Sequence, residues 1–223
     1  MGTVTLGVSI AVPEPYGSLL QERRAGFGDP AAHGIPTHVT LLPPTEVDDS
    51  RRPEIEAHLA GVASAGRAFP MRLSGTGTFR PLSPVVFVRV VEGTSACGWL
   101  QERVRAEDGP LARELQFPYH PHVTVAHGIS EEAMDRAYAE LADFEAAWTA
   151  TGFALYEQGE DCVWRLQREF TFGTTPLPLP QQSQQLQQPQ QSHHPQQSHH
   201  PQQPQQLSQS AQPVFSRPPA ASL

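Results

Sequence analysis

A tripeptide of histidine, valine and threonine occurs twice in the 223-residue chain, and no other stretch constrains the fold as much. His38-Val39-Thr40 lies within Ile35-Pro36-Thr37-His38-Val39-Thr40-Leu41-Leu42, and His122-Val123-Thr124 within Tyr119-His120-Pro121-His122-Val123-Thr124-Val125-Ala126. Val, Thr and Leu crowd both copies and prolines bound them, which predicts strands. Residues two apart on a strand share a face, so each His points with its Thr while the Val between them turns into a core. Two such strands present two imidazoles and two hydroxyls to one cleft.

Residues 38 and 122 lie 84 positions apart, too far for a solenoid repeat but suited to two related lobes that face each other. Val4, Leu6, Val8, Ile10 and Val12 alternate with Thr5, Gly7, Ser9 and Ala11, the pattern of a strand with one apolar face. A helix is expected over 14–27, stopped by Gly28-Asp29-Pro30, and the first motif strand is expected to end at Pro43-Pro44. Asp48-Asp49-Ser50 offers a cap for a helix over 51–65. Stretches 69–79 and 85–91 read as an antiparallel pair. Helical patterns follow over 94–104, around 111–115 and, after Ser130-Glu131-Glu132, to about residue 144. Stretches 148–157 and 162–172 read as a hairpin around Gly159. Together these predict an α+β fold of two mostly antiparallel sheets, with outer helices around a central cleft. Each half of this unit is expected to hold a strand, an HxT strand and a helix.

Composition sets the limits of that unit. Residues 176–223 are mostly Gln, Pro, Ser and His, with few apolar residues and almost no charge, too polar to offset the ordering of their backbone, and are expected to form a disordered tail. Residues 1–175 are expected to form one folded unit of two pseudo-symmetric lobes. A formal net charge of -8 argues against a basic surface that grips long nucleic acid, yet leaves room for a small anion at a local positive site. Every basic residue is Arg, which suits bidentate phosphate contacts. Cys97 and Cys162 form no CxxC pair and read as incidental thiols. No signal peptide or membrane span is visible in the sequence, so a cytoplasmic location is expected.

Two imidazoles in one cleft suit a reaction that needs both a general base and a general acid. Opening a cyclic phosphodiester with water needs one group to take a proton from the water and another to give one to the departing sugar oxygen. Imidazole titrates near pH 6.5, so one His can be neutral and its partner protonated near neutrality. The Thr hydroxyls can donate to the non-bridging oxygens as phosphorus becomes five-coordinate. This scheme requires no cofactor and no metal, and the spacing of His33, His38, His120, His122 and His127 matches no standard zinc pattern.

The two H-apolar-T-apolar motifs closely resemble those of the 2H phosphoesterase superfamily, within it the bacterial 2′-5′ RNA ligase or RNA 2′,3′-cyclic phosphodiesterase proteins. The resemblance spans about the first 170 residues. It implies a bilobal fold around a cleft, metal-independent chemistry on 2′,3′-cyclic phosphates, and catalytic His38, Thr40, His122 and Thr124. It also implies that the first His protonates the leaving oxygen and the second activates water. Several relatives carry an Arg shortly after the second motif, where this chain has Ala126-His127-Gly128. Strand parity sets His127 opposite to His122 and Thr124, which predicts a structural or rim role. Arg80 and Arg165 are then the candidates for meeting phosphate charge, and Phe79 and Tyr119 for stacking a base. The expected partner is an RNA end or a small nucleotide with a cyclic phosphate. The rival reading is a non-catalytic nucleotide- or RNA-binding module that keeps the same cleft.

Overall fold

Thr3–Ala11 (β1) is buried on both faces from Leu6 to Ile10, although only one face is apolar. Leu6, Val8 and Ile10 enter the core, while the small residues Gly7 and Ser9 floor a cleft. A strand with large residues on one side and small ones on the other both anchors a sheet and leaves space above it. The computed structural model describes residues 2–173, and the tail expected over 176–223 lies outside the described residues.

The described chain forms eight strands and four α-helices. In order they are β1, Tyr16–Gly26 (α1), His38–Asp48 (β2), Arg52–Ala65 (α2), Phe69–Thr78 (β3), Val85–Glu92 (β4), Thr94–Val104 (α3), His122–His127 (β5), Glu131–Glu140 (α4), Glu145–Ala150 (β6), Gly152–Gln158 (β7) and Trp164–Thr171 (β8). Short 3-10 turns at Pro30–His33 and Asp49–Arg51 precede β2 and α2. The strands make two four-stranded sheets of order β2-β1-β7-β8 and β5-β4-β3-β6, and every pairing is antiparallel. This is the expected α+β architecture. Both HxT strands are edge strands, and they lie against each other where the two sheets meet.

Several local expectations are corrected. β2 does not stop at Pro43-Pro44 but runs on to Asp48. As an edge strand it tolerates residues that lack an N–H, and a register shift between Leu42 and Thr45 absorbs them. Residues 111–115 form turns and coil, not a helix, although Leu111 is buried. Stretch 148–157 is two strands: β6 pairs with β3, and after Thr151 the chain crosses to β7, which pairs with β1. The sheets are therefore not successive halves of the chain. One is closed by its first and last strands, and the other is built from β3 to β6.

One continuous core links both sheets, with Leu6, Ile10, Leu41, Ile55, Leu59, Met71, Leu73, Leu100 and Met134 almost fully buried. Cys97 lies within it, where burial pushes its thiol up to about 12, so it stays protonated and inert. Ser130 caps α4, its hydroxyl accepting from the Ala133 N–H at 3.3 Å.

Candidate active site

The motif strands place their side chains as alternation demands. Val39 and Val123 are completely buried, while His38, Thr40, His122 and Thr124 are half-buried on the opposite faces. Cross-strand register sets Ala11 opposite His38 and Ser9 opposite Thr40, so small neighbours leave both motif side chains room. A cavity of about 180 Å³ opens there, with His38, Thr40, Thr124, Ser9, Arg24 and His127 among its polar lining. Trp164 and Tyr156 line it from the other side. Gly7 makes the Trp164 position possible, because a Cβ at Gly7 would stand 2.9 Å from the indole.

The two imidazoles are held in the same way. His38 Nδ1 meets the Pro36 carbonyl at 2.5 Å, and His122 Nδ1 meets the His120 carbonyl at 2.7 Å. A carbonyl oxygen only accepts, so Nδ1 carries the proton in both rings and Nε2 is left to exchange protons with a ligand. Desolvation pushes both imidazoles below the ordinary histidine range, against the opposing pull of those carbonyls. The Arg24 charge lowers His38 further, and the charges of His120 and His38 lower His122.

His122 does not line the cavity itself; it shares the outward face of β5 with Thr124, and its ring is fixed by aromatic neighbours. Phe79 stands edge-on to it with ring centroids 4.9 Å apart, and Phe87 lies 5.1 Å away. Phe79 thus packs on a motif imidazole and is not among the cavity-lining residues. Tyr119 donates its hydroxyl to the Thr40 carbonyl at 2.8 Å, tying the lead-in of β5 to β2, and burial raises its phenol. Arg80 is taken by Glu131 and Asp135, at 2.6 and 2.8 Å. Arg165 pairs with Asp161 at 2.6 Å on the exposed hairpin. Neither is among the cavity-lining residues.

Two residues of the cavity lining, Arg24 and His127, lie outside the contacts expected from the sequence. Arg24 has a visible signal: Gly17, Leu20 and Arg24 are the buried positions of α1, at helical spacing, so an arginine stands on the stripe that faces inward. Simple alternation sets His127 on the opposite face, and the structure corrects this. A register shift in β5 sets Thr124 opposite Phe87 but Ala126 opposite Val86, leaving Val125 as an extra residue. This bulge inverts the parity beyond it and returns His127 to the side of His122 and Thr124. Among the described residues, no three His, Cys, Asp or Glu side chains cluster closely enough to hold a metal ion.

Two antiparallel sheets meeting at paired HxT edge strands define a two-histidine phosphoesterase architecture. Residues 12–161 match the family model of the 2′-5′ RNA ligase superfamily. Proteins of Bacillus thuringiensis strain Al Hakam and Bacillus cereus strain B4264, both named as candidate phosphoesterases, are each 28% identical to this chain. The first aligns over 160 residues, 70% of this chain and 91% of its own length. Among solved structures, Thermus thermophilus TT0787 superposes with a TM-score of 0.56 at 22% identity, covering 76% of this chain and 98% of that one. Escherichia coli LigT with bound 3′-AMP gives a TM-score of 0.55 at 18% identity, covering 77% and 99%. The chain belongs to the 2′-5′ RNA ligase superfamily, the 2H phosphoesterases.

Proposed function

We propose that this protein opens 2′,3′-cyclic phosphates on RNA ends or nucleotides, with His38 and His122 as paired proton-transfer groups. The observation that carries this reading is the matched pinning of the two rings. Each Nδ1–H is held by a carbonyl two residues upstream, so each Nε2 is free to take or give a proton.

One neutral imidazole removes a proton from the attacking water as its oxygen bonds to phosphorus. The other, protonated, gives its proton to the sugar oxygen as the P–O bond breaks, yielding a monoester. Thr40 and Thr124 donate to the non-bridging oxygens, where negative charge gathers. Both imidazoles lean neutral in the free protein, and the anionic phosphate supplies the field that favours protonating one of them. Trp164 and Tyr156 offer flat faces for a base or ribose. With an RNA 5′-hydroxyl in place of water, the same acid–base pair opens the ring toward a 2′-5′ linkage: the 5′-oxygen bonds to phosphorus, the P–O3′ bond breaks and the 3′-oxygen takes the proton. LigT has been solved with 3′-AMP and with ATP, which favours a nucleotide-sized ligand here as well.

Incubation of the purified protein with nucleoside 2′,3′-cyclic phosphates in EDTA tests the reading. Turnover to a monophosphate is expected. Tight binding without any product would replace the enzyme with a binding module.

A further inference from the structure

An arginine is the least expected residue on the inner stripe of a short helix, and Arg24 is only 6% exposed. Its Nε donates to Asp29 Oδ2 at 2.7 Å, within a pair whose side chains are 8% and 1% exposed. Asp29 is itself fully engaged. Its Oδ1 accepts from the Ala31 N–H at 2.9 Å, and its Oδ2 also accepts from the His127 N–H at 3.0 Å. One buried carboxylate therefore fixes both the guanidinium on α1 and the end of β5.

That pairing uses only the Nε of the guanidinium. Among the described residues neither Nη1 nor Nη2 of Arg24 has a hydrogen-bond acceptor, yet no fully enclosed side-chain nitrogen or oxygen lacks a partner. The two Nη groups therefore meet open space, and the space Arg24 lines is the cavity of His38, Thr40 and Thr124. Four N–H bonds remain available there, on a cation that Asp29 prevents from swinging away. Arg80 and Arg165 are held by carboxylates elsewhere, which leaves Arg24 as the arginine in the cavity lining.

We propose that Arg24, held by Asp29, is the phosphate-binding cation of this cleft, its two Nη groups gripping the non-bridging oxygens of a phosphate ester, with His127 beside it. The proposal rests on the phosphate-ester reading of the site and assigns the charge-bearing contact within it. Arg24 also stands near enough to His38 for its charge to act on that ring, so a phosphate bound between them would screen one from the other. Net charge on the ligand, rather than base identity, then sets affinity at this point of the cleft.

Calorimetry with adenosine 2′-monophosphate and with adenosine separates the phosphate contribution from the nucleoside contribution. Three proteins are compared: wild type, Arg24→Lys, and Arg24→Met combined with Asp29→Asn, which removes both buried charges together. Lysine can still neutralise Asp29 but has no second edge to offer a ligand. Both variants are expected to bind the monophosphate about 10- to 100-fold more weakly, with adenosine binding unchanged. If the double variant does not fold by circular dichroism, the lysine variant decides. Wild-type affinity for the monophosphate in a folded variant overturns the proposal, as does equal wild-type affinity for the monophosphate and adenosine. The His38→Ala, His122→Ala double variant keeps the outcomes distinct. An Arg24-dependent phosphate affinity without wild-type turnover refutes the enzyme reading alone, and wild-type turnover with unchanged KM in Arg24→Lys refutes the Arg24 assignment alone.

Discussion

His38 and His122 owe their proposed roles to opposing influences on each ring: burial, the largest, and nearby positive charge disfavour the imidazolium, while a carbonyl favours it. The sign of the pH dependence follows. A base is lost as pH falls through its pKa and an acid as pH rises through its own, so both limbs of kcat/KM against pH should sit below the ordinary imidazole value near 6.5. In the complex the phosphate charge favours imidazolium, so the alkaline limb of kcat should move to higher pH than that of kcat/KM. Steady-state rates across pH 4–9, compared on both parameters, check this; coincident alkaline limbs would contradict it. Thr40 and Thr124 act on developing charge, so Thr→Val at either site should lower kcat by about 10²–10³-fold while KM changes little. Stopped assays with a nucleoside 2′,3′-cyclic phosphate read this directly.

At the scale of elements, β5 shows what the sequence made legible and what it did not. Alternation of polar and apolar residues placed His122, Val123 and Thr124 on the faces the structure gives them, because period-two patterning is a local property of an extended chain. It failed at His127, three residues on, because the extra residue Val125 is set by pairing with β4, which no local pattern reports. Stretch 148–157 failed for a similar reason: its residues suit a strand throughout, and only the partners β3 and β1 divide it. Arg80 and Arg165 stand beside aromatic residues in the sequence, while their ion pairs to α4 and to the hairpin's Asp161 emerge only in the fold. Of the two expected caps, Ser130 holds α4 by a contact three residues away, whereas Asp48 caps the short turn Asp49–Arg51, and α2, with Arg51 at its N-cap, has no side-chain cap. Ser130→Ala should cost about 1 kcal/mol of stability while leaving turnover unchanged, measured by denaturant unfolding beside an activity assay. A fall in turnover at unchanged stability would contradict the assignment of α4 as scaffold alone.

For the folded unit as a whole, the cleft exists because two edge strands from different sheets are held against each other. Asp29 takes part in that hold, joining α1, the turn after it and the end of β5 through one carboxylate. Asp29→Ala strands the Arg24 cation without its partner and should cost about 3–5 kcal/mol, seen as a large drop in Tm; a loss below about 1 kcal/mol would show that the sheets are held elsewhere. Every residue assigned to the cleft falls within residues 2–173, so a chain ending at residue 175 should turn over at the full-length rate. The central claim is that both imidazoles are needed, each for its own proton. The most direct measurement is turnover of a nucleoside 2′,3′-cyclic phosphate by wild type, His38→Ala, His122→Ala and the double variant. Each single change should cost about 10²–10⁴-fold in kcat, and the double should be little worse than the poorer single, as befits groups acting as a unit. Near wild-type turnover in either single variant would contradict the account.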